Sequence, residues 1–221
     1  MAEMMSLRAA DGHEFGAYRT RPKDAAAGLV VLQEIFGVNG HIRAVCDRFA
    51  LQGFAVVAPA LFDRVQQNVQ LGYTPDDVQA GLALMARLSE VDALADIAAA
   101  AAVLGDRPIG VIGYCWGGTL AWQAAARTRR FKAGISWYGG GIAAARNLTL
   151  NCPMQLHFGE TDHSIPRGDV EAVRQAHPEA EIFVYGGAGH GFGCDQRGSF
   201  NAAAYATALE RSLAFLRAHL A

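Results

Sequence analysis

The sequence predicts an α/β fold with a mostly parallel central sheet and helices on both faces. Three observations predict it. Short continuous apolar runs, such as residues 28–33 and 54–58, have the composition of strands buried on both faces. These runs alternate with stretches of helical period, which implies right-handed crossovers between parallel strands. At residues 111–118 one such run passes directly into a glycine-rich turn and a helix, with the pattern G-x-C-x-G at Gly113, Cys115 and Gly117.

In chain order, residues 5–20 read as two short strands about the turn Asp11-Gly12, an antiparallel edge hairpin. The buried strand 28–33 ends at the flexible stretch Glu34-Ile35-Phe36-Gly37-Val38-Asn39-Gly40. Ile42, Val45, Cys46, Phe49 and Ala50 then recur at helical spacing, and Gly53 closes that helix. Residues 54–58 are a second buried strand stopped by Pro59, and residues 60–73, without a clear period, read as a loop. Thr74 caps a helix that has Pro75 at its first position and Asp76 and Asp77 in its first turn. Ser89-Glu90-Val91-Asp92 starts an alanine-rich helix that ends near Gly105. Strand 109–113 leads into the turn and into helix 119–126, and strands 132–137 and 153–158 follow. Helix 170–176, strand 181–185 and helix 202–220 complete the chain; Tyr205, Leu209, Leu213, Leu216 and Leu220 share one side of the last. There is no repeat, linker or break in composition, so residues 1–221 read as one domain.

Composition excludes several function classes. Hydrophobic residues make up 52% and charged ones 18%, which suits a packed domain rather than a disordered chain. A formal net charge of −2 offers no electrostatic attraction to nucleic acid or to an acidic membrane. The four cysteines (Cys46, Cys115, Cys152, Cys194) are scattered without metal-ligand spacing, so neither metal nor cofactor is expected, and a reducing cytoplasm suits them. The first residues have no signal-peptide pattern, and the most apolar long run is too short to span a bilayer. The expected partner is a small molecule only, with a monomer favoured.

The chemistry-bearing residues are those just beyond the carboxyl ends of the strands, where ligands bind in such sheets. Cys115 stands at a sharp strand-to-helix turn, which demands nearly side-chain-free neighbours and puts a helix N-terminus behind the sulfur. Free cysteine has a pKa near ~8.5, and that dipole together with a histidine should lower it. His190, in Gly186-Gly187-Ala188-Gly189-His190-Gly191-Phe192, follows the last strand and is the candidate base. Asp162, in Gly159-Glu160-Thr161-Asp162-His163, is the acid that would orient it. His157 falls inside a strand and reads as a core histidine, and His163 as a flank of Asp162. His177-Pro178-Glu179 imitates an amidotransferase motif, but it ends a helix ahead of a strand and so lies at the opposite sheet edge, about 17–20 Å away.

Together these residues resemble the dienelactone hydrolase family of α/β-hydrolases over nearly the whole chain. The resemblance rests on Gln33–Gly37, on Ala58-Pro59-Ala60-Leu61-Phe62-Asp63-Arg64, on Gly113–Gly118, on His157–Asp162 and on Ala188–Phe192. It implies a minimal α/β-hydrolase fold and a Cys115–His190–Asp162 triad that opens a lactone or ester through an acyl-enzyme. It further implies that Glu34 controls ionisation of the thiol and that the backbone N–H groups of Ile35 and Trp116 receive the oxyanion. Arg64, Phe36, Tyr138 and Phe192 are the implied substrate-binding residues, Arg64 as the anchor for a carboxylate. There are departures: Cys194 stands where relatives carry a second anchoring arginine, and Asp195 lies near the alternative, Arg197. Two competing readings remain, an esterase or thioesterase for an uncharged substrate and a redox-responsive cysteine protein without turnover.

Overall fold

The central strands of this chain, from Ala27–Leu32 to Met154–Gly159, form where an apolar run leaves no face for water. The computed structural model describes residues 2–22 and 24–221. Residue contacts divide the chain into two units, Met1–Gly110 and Val111–Ala221.

In the first unit, β1 (Ala2–Arg8) and β2 (Glu14–Thr20) form the expected antiparallel hairpin, with Leu7 opposite Phe15. β3 (Ala27–Leu32) and β4 (Phe54–Pro59) are parallel, with Leu29 opposite Val56 and Val30 opposite Val57, and β2 joins β4 antiparallel. The strand order is therefore β1-β2-β4-β3. Leu29, Val30, Val31 and Leu32 expose no surface, and burial of such side chains contributes about 1.5–3 kcal/mol each. The crossover helix α1 (Gly40–Leu51) is capped by Asn39, whose side chain accepts the Ile42 N–H, and Gly53 follows it at φ +97°. α2 (Pro75–Met85) carries the expected cap as a full box between Thr74 and Asp77, and Ser89 caps α3 (Glu90–Ala102).

One expectation changes in this unit. The stretch expected as a loop from residue 60 opens with a 3-10 turn, Leu61–Arg64. Its supports are not local: Leu61 N–H donates to Gln33 Oε1 (3.1 Å), and Gly16 N–H donates to Asp63 Oδ2 (2.7 Å). A reading of local period has no access to such partners.

In the second unit the order is β5 (Ile109–Tyr114, most of it here), β6 (Ala133–Trp137), β7 (Met154–Gly159), β8 (Glu181–Tyr185). β6, β7 and β8 pair in parallel. The helices are α4 (Trp116–Arg127), α5 (Arg167–Ala176) and α6 (Ala202–His219). α4 begins three residues earlier than its apolar period implies, because Cys115 itself occupies the cap position. On α6 the buried side is Ala204, Ala208, Ser212, Phe215 and Leu216, whereas Leu209 and Leu213 are only half-buried. The buried stripe is thus turned from the expected one and includes a serine. No helix among the described residues is long and apolar enough to cross a membrane.

Candidate active site

The site in the second unit is built on crowding. β5 is buried along its whole length, and at its end the chain reverses into α4 with Cys115 at φ 53°, ψ −118°. Such a conformation is costly for a side-chain-bearing residue and persists only where its surroundings over-determine it. Two hydrogen bonds and two close approaches of glycine backbone do so. Cys115 N–H donates to the Trp137 carbonyl (2.9 Å), and the Cys115 carbonyl accepts the Gly118 N–H (2.9 Å). A Cβ at Gly113 would lie 1.8 Å from the Gly117 carbonyl oxygen, and one at Gly118 would lie 2.5 Å from Ser136 Oγ. Gly113→Ala is therefore expected to destabilise the fold by more than about 4 kcal/mol; a urea melt that leaves the midpoint unchanged would contradict this packing.

The two other loops are clamped to each other. The Ala188 carbonyl accepts both the N–H (2.9 Å) and the Oγ1–H (3.0 Å) of Thr161, and a Cβ at Gly159 would meet that carbonyl oxygen at 2.4 Å. Asp162 is buried; its Oδ1 accepts the Ser164 N–H (2.8 Å), which leaves Oδ2 for His190 Nδ1 at 2.8 Å. On the other side of the ring, Nε2 lies 3.1 Å from Cys115 Sγ. Burial works against a charge on His190, but the hydrogen bonds and charges of Asp162 and Cys115 outweigh it, so the imidazole is pushed up to about 10. Cys115, His190 and Asp162 are therefore brought together in line from three separate loops.

Tyr138 and Phe192 lie beside the ring without exposed surface. Tyr138, at φ 43°, stands edge-on to His190 with 5.3 Å between centroids, and Phe192 stacks on Trp137 at 5.5 Å. Resemblance implies substrate contact for both; in this structure neither has accessible surface, and Tyr138 packs against the imidazole. His157, as expected, is a satisfied core histidine: Nδ1 meets the Tyr185 hydroxyl (2.7 Å) and Nε2 meets Gln155 Oε1 (2.9 Å). His177 closes α5 and its Nδ1 lies 2.7 Å from Glu179, as a helix-to-strand turn requires.

A family model described as the dienelactone hydrolase family matches residues 15–220. The chain belongs to the dienelactone hydrolase family. Among dienelactone hydrolase relatives, one from Synechocystis sp., provisionally named a carboxymethylenebutenolidase, is 38% identical over 83% of this chain and 82% of its own. The carboxymethylenebutenolidase of Pseudomonas putida is 30% identical over 98% of this chain and 96% of its own. A crystal structure from Klebsiella pneumoniae, provisionally described as a dienelactone hydrolase, is 31% identical with a TM-score of 0.83 and covers 97% of this chain and 99% of its own. The fold is thus that of the α/β-hydrolases, and the chain is a hydrolase of the carboxymethylenebutenolidase type by family and by the names of its relatives.

The remaining residues singled out from the dienelactone hydrolase motifs lie in the first unit. Glu34 is 1% exposed, just past β3, and the Gln33 side chain donates to its carbonyl (3.3 Å). Ile35 and Phe36 are buried as well, Phe36 edge-on to Tyr73. Arg64 is held by its own chain. Its Nε and Nη2 make a bidentate pair with the buried Asp96 (2.9 and 2.8 Å), and Nη1 reaches Asp11 (2.7 Å) and Asp92 (3.4 Å).

Proposed function

We propose that the protein is a cysteine-dependent hydrolase that opens a small lactone or activated ester through an acyl-enzyme on Cys115. The observation that carries this reading is His190, within hydrogen-bond reach of both the sulfur and Asp162. The thiol proton passes to Nε2, and the imidazolium is stabilised through Nδ1–H by Asp162. The thiolate attacks the carbonyl carbon, and the C=O electron pair moves onto oxygen. That oxyanion is assigned to the backbone N–H group of Trp116, the first residue of α4. Collapse breaks the C–O bond, and His190 delivers its proton to the leaving oxygen, which in a lactone stays tethered to the acyl group. Water, deprotonated by His190, then attacks the thioester and the thiolate departs. Because a thiolate leaves more readily than an alkoxide, the chemistry suits enol lactones and activated esters, and it suits amides poorly.

Glu34 is assigned the control of thiol ionisation that the resemblance implies. Glu34 is buried just past β3, and if it controls the thiol, Glu34→Gln should move the pH profile of Cys115 alkylation. The four scattered cysteines, none of them in a disulfide, support action in a reducing cytoplasm. Activity of Cys115→Ala and His190→Ala on dienelactones, p-nitrophenyl esters and acyl thioesters tests the reading. Wild-type rates in both variants would end it.

The raised His190 also sets a pH dependence. Its folded value lies above the ordinary 6.5, so the stabilised imidazolium is fully present below that pH and is lost as pH rises through about 10. kcat should therefore hold through neutral pH and fall towards pH 10 as the acid for the leaving group disappears. An alkaline limb near pH 7 would contradict the pairing.

A second reading, an uncharged substrate, is favoured by Arg64, whose donors already face Asp96, Asp11 and Asp92. It predicts similar kcat/KM for a lactone carboxylate and for its methyl ester. A free anchoring arginine instead predicts a preference for the carboxylate of about 10-fold or more.

A further inference from the structure

Behind the triad runs a chain of polar side chains that passes through the buried His157 and Gln155 and ends on the half-buried Arg211 and the exposed Glu181. Arg211 Nη1–H donates to the Tyr185 hydroxyl (3.3 Å), which lies 2.7 Å from His157 Nδ1. His157 Nε2 lies 2.9 Å from Gln155 Oε1, and Gln155 Nε2–H donates to Glu181 Oε2 (2.7 Å). The two ends fix every direction, since a guanidinium only donates and a carboxylate only accepts. The Gln155 carbonyl oxygen must receive a proton from His157, so the imidazole carries it on Nε2 and accepts from Tyr185 at Nδ1. Burial, with the charge of Arg211 second, holds His157 down at about 3, so the ring is neutral. Only one arrangement satisfies the whole chain.

Ser212 is its branch point. This residue has no exposed surface; its Oγ lies 3.0 Å from His157 Nε2 and accepts the Trp137 indole N–H at 3.2 Å. Trp137 in turn reaches the site twice. Its carbonyl accepts the Cys115 N–H (2.9 Å), and its ring stacks on Phe192, two residues past His190. The next residue, Tyr138, donates its N–H to the His157 carbonyl (2.8 Å) and sets its ring against His190. Both strained residues of this corner, Cys115 and Tyr138, are therefore tied to the segment that Ser212 and His157 brace. A buried polar network of this kind restricts the arrangements open to its surroundings.

We propose that Ser212 is a positioning residue for hydrolysis, acting through the Trp137 indole to hold the Trp137 carbonyl on the Cys115 amide and the aromatic wall against His190. The proposal rests on Cys115 being the nucleophile.

The test is Ser212→Ala in the full chain, with kcat and KM for a p-nitrophenyl ester and the pH profile of Cys115 alkylation by iodoacetamide, all at a temperature where circular dichroism shows native structure. A small misplacement of a nucleophile is costly, so kcat should fall about 10-fold with KM within about 2-fold, and the alkylation profile should shift. Trp137→Phe, which keeps a ring and drops the N–H, should give the same two changes. The double variant should be no worse than the worse single one, as coupled residues behave. Should Ser212→Ala not fold, Tyr185→Phe and Trp137→Phe carry the test, because the first removes the hydroxyl between Arg211 and His157 and the second the indole N–H on Ser212, and each keeps an aromatic ring. A lower melting temperature with unchanged kcat and alkylation profile would overturn the proposal, as would losses that multiply in the double variant. Full activity of Cys115→Ala would instead overturn the nucleophile reading, and that outcome is separate.

Discussion

Cys115→Ala is expected to lower kcat/KM for an activated ester by about 10⁴-fold or more, with almost no change in stability. Removal of a nucleophile leaves only binding and oxyanion contributions, and triad members lose their effects as a unit. The stability side follows from position. Cys115 is half-buried at the cap of α4, and its conformation is enforced by backbone contacts to Trp137, Gly118 and Thr119 that alanine retains. The loss is that of one sulfur near His190, worth under about 1 kcal/mol. Rates on p-nitrophenyl acetate, paired with a urea melt, check both halves.

Asp162→Asn is the second large effect, and the direction comes from one hydrogen bond. Oδ1 of Asp162 accepts the Ser164 N–H, so that side of the group must remain an acceptor. In asparagine the carbonyl oxygen takes that place and the NH₂ faces His190 Nδ1, where Oδ2 now stands at 2.8 Å. The imidazole then presents a lone pair at Nδ1 and its proton at Nε2, towards the sulfur. A base already protonated there cannot take the thiol proton, and the imidazolium loses its partner. kcat should fall by roughly 10²–10⁴-fold, as expected for a wrong tautomer. The alkaline limb near pH 10 should also move down, since the Asp162 hydrogen bond and charge help hold His190 up. A variant within about 3-fold of wild type would contradict this orientation role.

The juxtaposition of Cys115, His190 and Asp162 was legible because its determinants are short. Gly113, Cys115 and Gly117 define a turn by themselves, and alternation of strand and helix brings the loops of Asp162 and His190 to the same strand ends. The strands were legible for a related reason, as runs such as residues 54–59 are buried throughout. What the sequence hid depends on partners far along the chain. Arg64 looks available until Asp11, Asp92 and Asp96 are found around it, 28 to 53 positions away. Tyr138 and Phe192 carry the composition of a binding wall, yet packing on Trp137 and His190 removes all their surface. On α6 an apolar stripe through the leucines hides one that contains Ser212, although Ser212 is fully buried, with its Oγ accepting the Trp137 indole N–H and lying 3.0 Å from His157 Nε2. A hydropathy pattern counts such a serine as surface.

The central claim is the acyl-enzyme on Cys115, and the direct measurement is rapid acid quench of a slowly deacylating aryl ester followed by peptide mass mapping. The account predicts a substrate-derived acyl mass on the peptide that contains Cys115, absent from Cys115→Ala. An acyl group on another residue, or hydrolysis at wild-type rate by Cys115→Ala, would contradict it.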